Sequence, residues 1–182
     1  RRLRWPVPRT LAARLRGEEV LAIRRRGKYL LFDCRHGHLP VHLGMSGRLS
    51  MVAAGSPART HDHVDVKLED GKVMRFTDPR RFGSLLWQPP GQTHELLRVL
   101  GPEPLSADFD GDYLFERSRG RKAPVKTFLM DQRMVVGVGN IYAAESLFRA
   151  GISPLRAAGR VSRERYQALA TAVKDILAHA IA

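Results

Sequence analysis

Cysteine is almost absent. Cys34 is the one cysteine among 182 residues, which excludes an internal disulfide and a cysteine-rich zinc site within this chain and gives no sign of secretion. A lone thiol inside an apolar run reads as a small buried hydrophobe rather than a reactive group. Long apolar stretches are missing as well. No run approaches the roughly 20 residues of a membrane span, and the opening Arg1-Arg2-Leu3-Arg4-Trp5-Pro6 is followed by no apolar core of a signal peptide. Internal repeats and low-complexity tracts are also lacking, which removes solenoid and repeat architectures. The last shortage is of acid. Only 18 Asp and Glu stand against 31 Lys and Arg, a formal net charge of +13 with a sequence pI near 10.9. Such an imbalance points to a polyanionic partner. Twenty-five of the cations are arginines, which suit bidentate contact with phosphate and base edges; an arginine-rich genome produces the same ratio, so the net charge carries more weight.

What is present divides into two halves. Lys28 to Cys34 is an apolar-rich run closed by a turn at His36-Gly37, and Leu39 to Met45 is a second run, together a hairpin. Val64, Val66 and Leu68 alternate with polar residues. Asp70-Gly71 then leads into Lys72 to Thr77, the strongest hairpin signal in the chain. Phe82 to Trp87 adds a further strand. At Gln88-Pro89-Pro90-Gly91-Gln92 the pattern breaks, and beyond it the period changes from two to about 3.6. Helices are expected at Thr93 to Leu100, Tyr113 to Arg119 and Pro124 to Gln132. Asn140 is expected to cap Ile141 to Ala150. Ser162 is expected to cap a last helix whose stripe of Tyr166, Leu169, Val173, Ile176, Leu177 and Ala180 is core. The expectation is an α+β chain, a β-rich half joined to a helical half. Arg1 stands where a Met would begin a protein, and Ala180-Ile181-Ala182 falls inside an unfinished helical pattern, so both ends are expected to be cut.

Six constellations can carry chemistry. Val135-Val136-Gly137-Val138-Gly139-Asn140 sits between two helices, where backbone N–H groups can converge on a phosphate or merely form a turn. Just upstream, Arg117, Arg119, Arg121, Lys122 and Lys126 form either a phosphate grip or a solvated face. Thr77-Asp78-Pro79-Arg80-Arg81-Phe82-Gly83 brackets two arginines and an aromatic with Pro and Gly. Against duplex DNA an arginine there can read a base edge and Phe82 can wedge into the stack; in the other reading Asp78 stiffens the turn and Phe82 is core. His61-Asp62-His63-Val64-Asp65 invites a metal, but neighbours on a strand face opposite ways. A phosphate contact for one histidine is the better reading. Met45, in Leu43-Gly44-Met45-Ser46-Gly47, is either core or an apolar probe. Lys28 follows Arg24-Arg25-Arg26-Gly27 at the mouth of a strand, where a lysine can hold a phosphate or assist proton transfer at an abasic sugar.

Taken in order, Arg26-Gly27-Lys28-Tyr29-Leu30, His42-Leu43-Gly44-Met45-Ser46-Gly47, His61-Asp62-His63-Val64-Asp65, Thr77 to Gly83, Leu100-Gly101-Pro102-Glu103-Pro104-Leu105 and Val136-Gly137-Val138-Gly139-Asn140-Ile141-Tyr142-Ala143 resemble formamidopyrimidine-DNA glycosylase over essentially the whole chain. The resemblance implies an N-terminal β-sandwich over residues 1–90 and a helical domain over 91–182 holding a helix-two-turn-helix, its turn at Gly137 to Asn140. It implies base-excision repair of 8-oxoguanine and formamidopyrimidines, with nicking of the abasic site by β-elimination. Met45, Arg80 and Phe82 become probes that enter the duplex, Arg80 facing the orphaned cytosine. His61, Arg80, Arg121, Lys126 and Asn140 become DNA contacts, and Lys28 supports strand cleavage. Damaged double-stranded DNA is the implied partner of a monomer in the bacterial cytoplasm, associated with the nucleoid and not with a membrane.

The sequence also departs from that family. The family's N-terminal proline, which attacks C1′ of the damaged nucleotide, and the glutamate after it are not here; nor are the four cysteines of its C-terminal zinc finger. The chain is therefore expected to need no cofactor of its own, to hold no metal, and to be an inactive DNA-binding fragment of a bifunctional glycosylase and lyase. Two readings stand beside it: a non-catalytic DNA-binding module, and the related endonuclease for oxidised pyrimidines.

Overall fold

The computed structural model describes residues 3–181. Its chain falls into two compact units, one running to His94 and the other beginning at Glu95, four residues beyond the boundary read from the Pro-Gly segment.

The first unit opens with a short helix, α1 (Leu11–Leu15), and continues through β1 (Val20–Arg26), β2 (Tyr29–Cys34), β3 (Gly37–His42), β4 (Arg48–Ala53), β5 (Asp62–Lys67), β6 (Lys72–Thr77) and β7 (Ser84–Leu85). These form two antiparallel sheets, in the orders β1-β2-β3-β7 and β4-β6-β5. Phe32, Leu39, Val41 and Leu85 of the first sheet share one buried cluster with Phe76 of the second, closed by Leu3 and Leu11. This is a sandwich. Complete burial of Phe76 contributes roughly 2 kcal/mol. The β2–β3 and β5–β6 hairpins stand where the sequence pattern put them, but with shorter or shifted bounds. The β3 strand ends at His42, three residues before the expected Met45, because Gly44 turns the backbone to φ +66.

Three elements of this unit escape the sequence pattern. All of β1 but Arg26 is exposed, so its apolar residues show no alternation; α1 has five residues, too few for a helical period; and β4, which follows the glycine-flanked loop and pairs with β6 from Arg48↔Thr77 to Ala53↔Lys72, is too exposed to leave a clear alternation.

The second unit holds α2 (Glu95–Arg98), α3 (Gly111–Ser118), α4 (Val125–Met130), α5 (Asn140–Arg149), a 3-10 turn (Ala158–Arg160) and α6 (Arg163–Ile181). Asp110 caps α3, its carboxylate accepting the Tyr113 N–H at 2.7 Å. The helices enclose Phe109, Leu114, Phe128, Leu129, Leu147, Tyr166, Leu169 and Val173. Two expectations need correction. Asn140 is not the cap of α5 but its first residue, Gly139 taking the cap position with extended backbone. On α6 the core face carries Tyr166, Leu169, Ala170, Ala172, Val173 and Leu177; Ile176 is only half-buried and Ala180 is exposed, since the helix runs past the end of the core. Among the described residues no helix is long and apolar enough to cross a membrane.

Candidate nucleic-acid interface

In the first unit two loops lock together. The loop after β3 carries Met45, and the loop after β6 carries Arg80 and Phe82. Gly44 and Gly83 set the contact between them: a Cβ on Gly44 would stand 2.7 Å from the Gly83 nitrogen, and one on Gly83 would stand 2.5 Å from the Phe76 ring and 2.8 Å from the His42 carbonyl oxygen. No side chain fits at either position. The two backbones can therefore approach only as glycines.

Asp78 fastens the pair. Its side chain is buried, one oxygen accepting the Ser46 hydroxyl at 2.7 Å and the other the Gly83 N–H at 2.8 Å. Ser46 also accepts the Arg80 N–H at 3.3 Å. Burial works to raise the Asp78 pKa, but the Gly83 N–H, the Ser46 hydroxyl and the Arg81 and Arg80 amides outweigh it, and the group lies below its ordinary value. His63 donates from Nε2 to the Asp78 carbonyl at 2.8 Å, and the Asp78 N–H donates to the His61 carbonyl at 3.0 Å. So β5 is tied to the same corner.

The corner holds the Met45, Arg80 and Phe82 side chains outward. Met45 is 70% exposed and Phe82 40%, which decides against the core reading of both. The Arg80 guanidinium lies 5.2 Å from the centroid of the Phe82 ring, a cation–π distance. Between them Arg81 takes φ +62, the one non-glycine residue with positive φ among those described, and its carbonyl accepts the Arg4 N–H at 2.8 Å. A left-handed arginine costs about 1 kcal/mol; it is the local strain that turns two long side chains out of one tight loop.

Lys28 sits in the β1–β2 turn, exposed, with its pKa lowered by partial desolvation. The His42 pKa is lowered too, by burial and then by the nearby charge of Lys28. His42 Nδ1 accepts the Gly44 N–H at 2.9 Å, and its ring meets Tyr29 at 4.7 Å. That bond places the imidazole proton on Nε2 and makes His42 a neutral donor beside a lysine. Sequence reasoning missed it as a site residue; the available signal was a histidine ending a strand just before a glycine-flanked loop. The structure brings Lys28, Met45, Arg80 and Phe82 to one connected corner, and the His61 backbone with them, its side chain exposed.

The metal reading of residues 61–65 fails on partners. Asp62 and Asp65 both face Arg75, and among the described residues no three His, Cys, Asp or Glu side chains gather as ligands. Cys34 is buried and single. These residues do not furnish a zinc site.

In the second unit, Arg121, Lys126 and Asn140 belong to the α3–α4 link, α4 and the start of α5. The α4–α5 connection is stitched by Gln132, which accepts the Gly137 N–H at 3.2 Å and donates to the carbonyls of Met130 and Val138 at 3.4 Å each. Gly101 donates to the Gln132 carbonyl at 2.8 Å and Val136 to the Pro102 carbonyl at 3.1 Å, so Gly101-Pro102 braces the turn. Arg121, Thr127, Met130, Asp131 and Arg133 line an open hollow of about 470 Å³. The expected basic face is thinner than its sequence. Arg119 stacks on Phe115 and donates to the Val161 carbonyl, and Arg117 lies over Tyr113.

A β-sandwich unit and a helical unit with a helix-two-turn-helix define the class as α+β, two-unit and strongly basic. Residues 1–85 match the formamidopyrimidine-DNA glycosylase N-terminal domain and residues 100–182 the formamidopyrimidine-DNA glycosylase H2TH domain. The chain belongs to the formamidopyrimidine-DNA glycosylase family. It is 65% identical over 179 residues to the formamidopyrimidine-DNA glycosylase of Stenotrophomonas maltophilia (strain R551-3), covering 98% of this chain and 66% of the relative. The Xanthomonas campestris pv. campestris (strain B100) protein is 63% identical over 180 residues, with the same coverage. The chain thus spans just under two thirds of these curated relatives. Among solved structures it resembles Lactococcus lactis Fpg in complex with DNA containing an abasic site, at TM-score 0.87 and 31% identity, over 94% of this chain and 64% of that one. It also resembles MutM in complex with DNA containing carbocyclic 8-oxo-G, at TM-score 0.87 and 33% identity, over 94% and 65%.

Proposed function

We propose that this chain recognises damaged duplex DNA and that the protein it represents excises oxidised purines, 8-oxoguanine and formamidopyrimidines, and nicks the abasic product by β-elimination. The observation that carries the reading is the locked pair of loops, which presents an apolar side chain, a guanidinium and an aromatic ring from one rigid corner. Extruding a nucleotide leaves a gap in the stack and an unpaired base opposite, and costs a few kcal/mol. Met45 and Arg80 fill that gap, Arg80 donating to the orphaned cytosine, while Phe82 wedges the neighbouring step. Lys28 and His42 offer adjacent donors to the phosphate of the extruded nucleotide, and Lys28 is the group assigned to proton transfer during strand cleavage. Arg121, Lys126 and the α5 N-terminus at Asn140 contact the backbone from the helical unit. A monomer on one duplex satisfies these contacts.

The chemical step is assigned to a form extended to the relatives' full span, with a terminal proline as nucleophile and this chain alone inactive. Borohydride trapping on an 8-oxoguanine duplex tests the assignment. A covalent adduct is expected from the extended form and none from residues 1–182. No adduct from either form would sink the enzyme reading, and an adduct from this chain would move the nucleophile into it. For recognition, this chain is expected to bind a duplex with a stable abasic-site analogue more tightly than undamaged duplex; equal affinity would refute the role of the probes.

A further inference from the structure

Arg75 lies in the middle of β6, the central strand of its sheet, and is only 7% exposed. A buried guanidinium is tolerated when its five N–H donors are met. Here they are met in an unusual direction. Nε and Nη2 fork onto Asp65, its cross-strand partner, at 2.8 Å each. The remaining reach goes to the loop between β4 and β5: Nη2 donates to the Ser56 carbonyl at 2.9 Å, Nη1 donates to the Pro57 carbonyl at 3.0 Å, and Nη1 lies 3.2 Å from the Asp62 carboxylate. Asp62 in turn accepts the Arg59 N–H at 2.8 Å and the Thr77 hydroxyl at 2.5 Å.

One guanidinium thus ties down both the middle of this loop and its return to the sheet. Apart from Ser56, residues 53–61 are exposed, so the loop has little apolar packing to hold it. It ends at His61, whose carbonyl is bonded to Asp78 of the probe corner. A buried ion cluster contributes less stability than apolar packing of the same volume; what it supplies is one geometry.

We propose that Arg75 is the positioning residue for His61: it fixes the 54–61 loop so that the His61 imidazole meets a DNA phosphate beside Met45, Arg80 and Phe82. This rests on the DNA-binding reading above. Arg75 itself touches no DNA, and its effect passes entirely through the loop.

The test is a double-mutant cycle on the 182-residue chain, reading Kd for a duplex with a stable abasic-site analogue and checking each variant by thermal melting. Arg75→Lys keeps the charge and loses the fork. His61→Ala is expected to weaken binding about tenfold, the size of one hydrogen bond to a charged oxygen. Arg75→Lys is expected to weaken it similarly, and the double variant no more than either single one, whereas Arg75→Lys with Arg121→Ala should multiply. If Arg75→Lys does not fold, Asp65→Asn replaces it with the same expected non-additivity. A multiplied loss of about a hundredfold in Arg75→Lys/His61→Ala would overturn the proposal as a general structural effect. So would unchanged affinity in Arg75→Lys. Unchanged affinity in His61→Ala would overturn it while leaving DNA binding intact, and a wild-type chain that binds neither the abasic nor the undamaged duplex would sink the DNA-binding reading itself.

Discussion

At Asp78 burial and hydrogen bonding pull in opposite directions, and hydrogen bonding wins. A carboxylate whose folded pKa lies below its unfolded value contributes stability above the ordinary carboxylate range, and that contribution is lost as pH falls through the folded pKa. Asp78→Asn removes an acceptor from the Ser46 hydroxyl or the Gly83 amide and is expected to cost about 1–3 kcal/mol at neutral pH. The gap to wild type should narrow as pH falls, because the wild-type carboxylate protonates as well. Urea unfolding at pH 7 and at pH 3 measures both gaps; equal gaps would mean that the carboxylate charge does nothing here. Arg80→Ala acts differently, since the side chain is exposed and its loss leaves the corner folded. It is expected to lose about 1–3 kcal/mol of discrimination for the base opposite the lesion, with a smaller change in overall affinity, as read from Kd for abasic duplexes carrying each of the four bases. Pro79 and Gly83 advertised a projecting loop, but the pattern alone left Phe82 open between wedge and core, and its exposure of 40% decides that. Asp78 was legible as a residue that stiffens the turn, but through Ser46 and Gly83 rather than an arginine side chain, and Arg75 was not legible. Their meaning lies in partners distant along the chain: Ser46, 32 residues from Asp78, and Ser56, 19 residues from Arg75.

Among the elements, legibility followed burial. The β2–β3 and β5–β6 hairpins, each with apolar residues facing the sandwich core, left their period in the sequence. The exposed edge strand β1 left none, and the boundary of α5 slipped by one residue because extended Gly139, not Asn140, precedes the first helical turn. The loop pair was visible as two glycine-flanked motifs, but their mutual contact was not, since neither motif names the other. That contact can be separated from glycine's conformational freedom. Gly83→Ala introduces a clash with Phe76 and the His42 carbonyl at a position without positive φ, whereas Gly17→Ala meets φ +72 and no atom within 4 Å. Overpacking is expected to cost Gly83→Ala about 1–3 kcal/mol, and Gly17→Ala about 1 kcal/mol from strain alone. Only Gly83→Ala should also weaken binding to an abasic duplex, as the probes lose their shared mount. Thermal melting and binding on the same samples decide it, and equal DNA affinity in the two variants would detach the loop contact from recognition.

For the molecule as a whole, the count of 31 Lys and Arg overstates the cations available to DNA. Arg24 pairs with Asp33, Arg35 with Glu19, Lys72 with Asp70, and Arg163 with Asp112 and Glu116, while Arg75 is buried with its two aspartates. Paired cations raise the long-range field little but release no counterions when DNA arrives, so the field steers encounter and a smaller set grips phosphate. Lys28, Arg121 and Lys126 are the cations assigned to phosphates, and three such contacts correspond to a slope of about −2.7 in a plot of log binding constant against log salt. Replacing any one of the three with alanine should reduce the magnitude of that slope by about 0.9, and Lys72→Ala, whose ammonium already faces Asp70, should leave it unchanged. The substitutions also separate grip from reading: the loss from Arg121 or Lys126 should be the same for damaged and undamaged duplex, and the loss from Lys28, which faces the extruded nucleotide's phosphate, larger for the damaged one. A slope unmoved by all three would place the phosphate contacts on other cations of the surface.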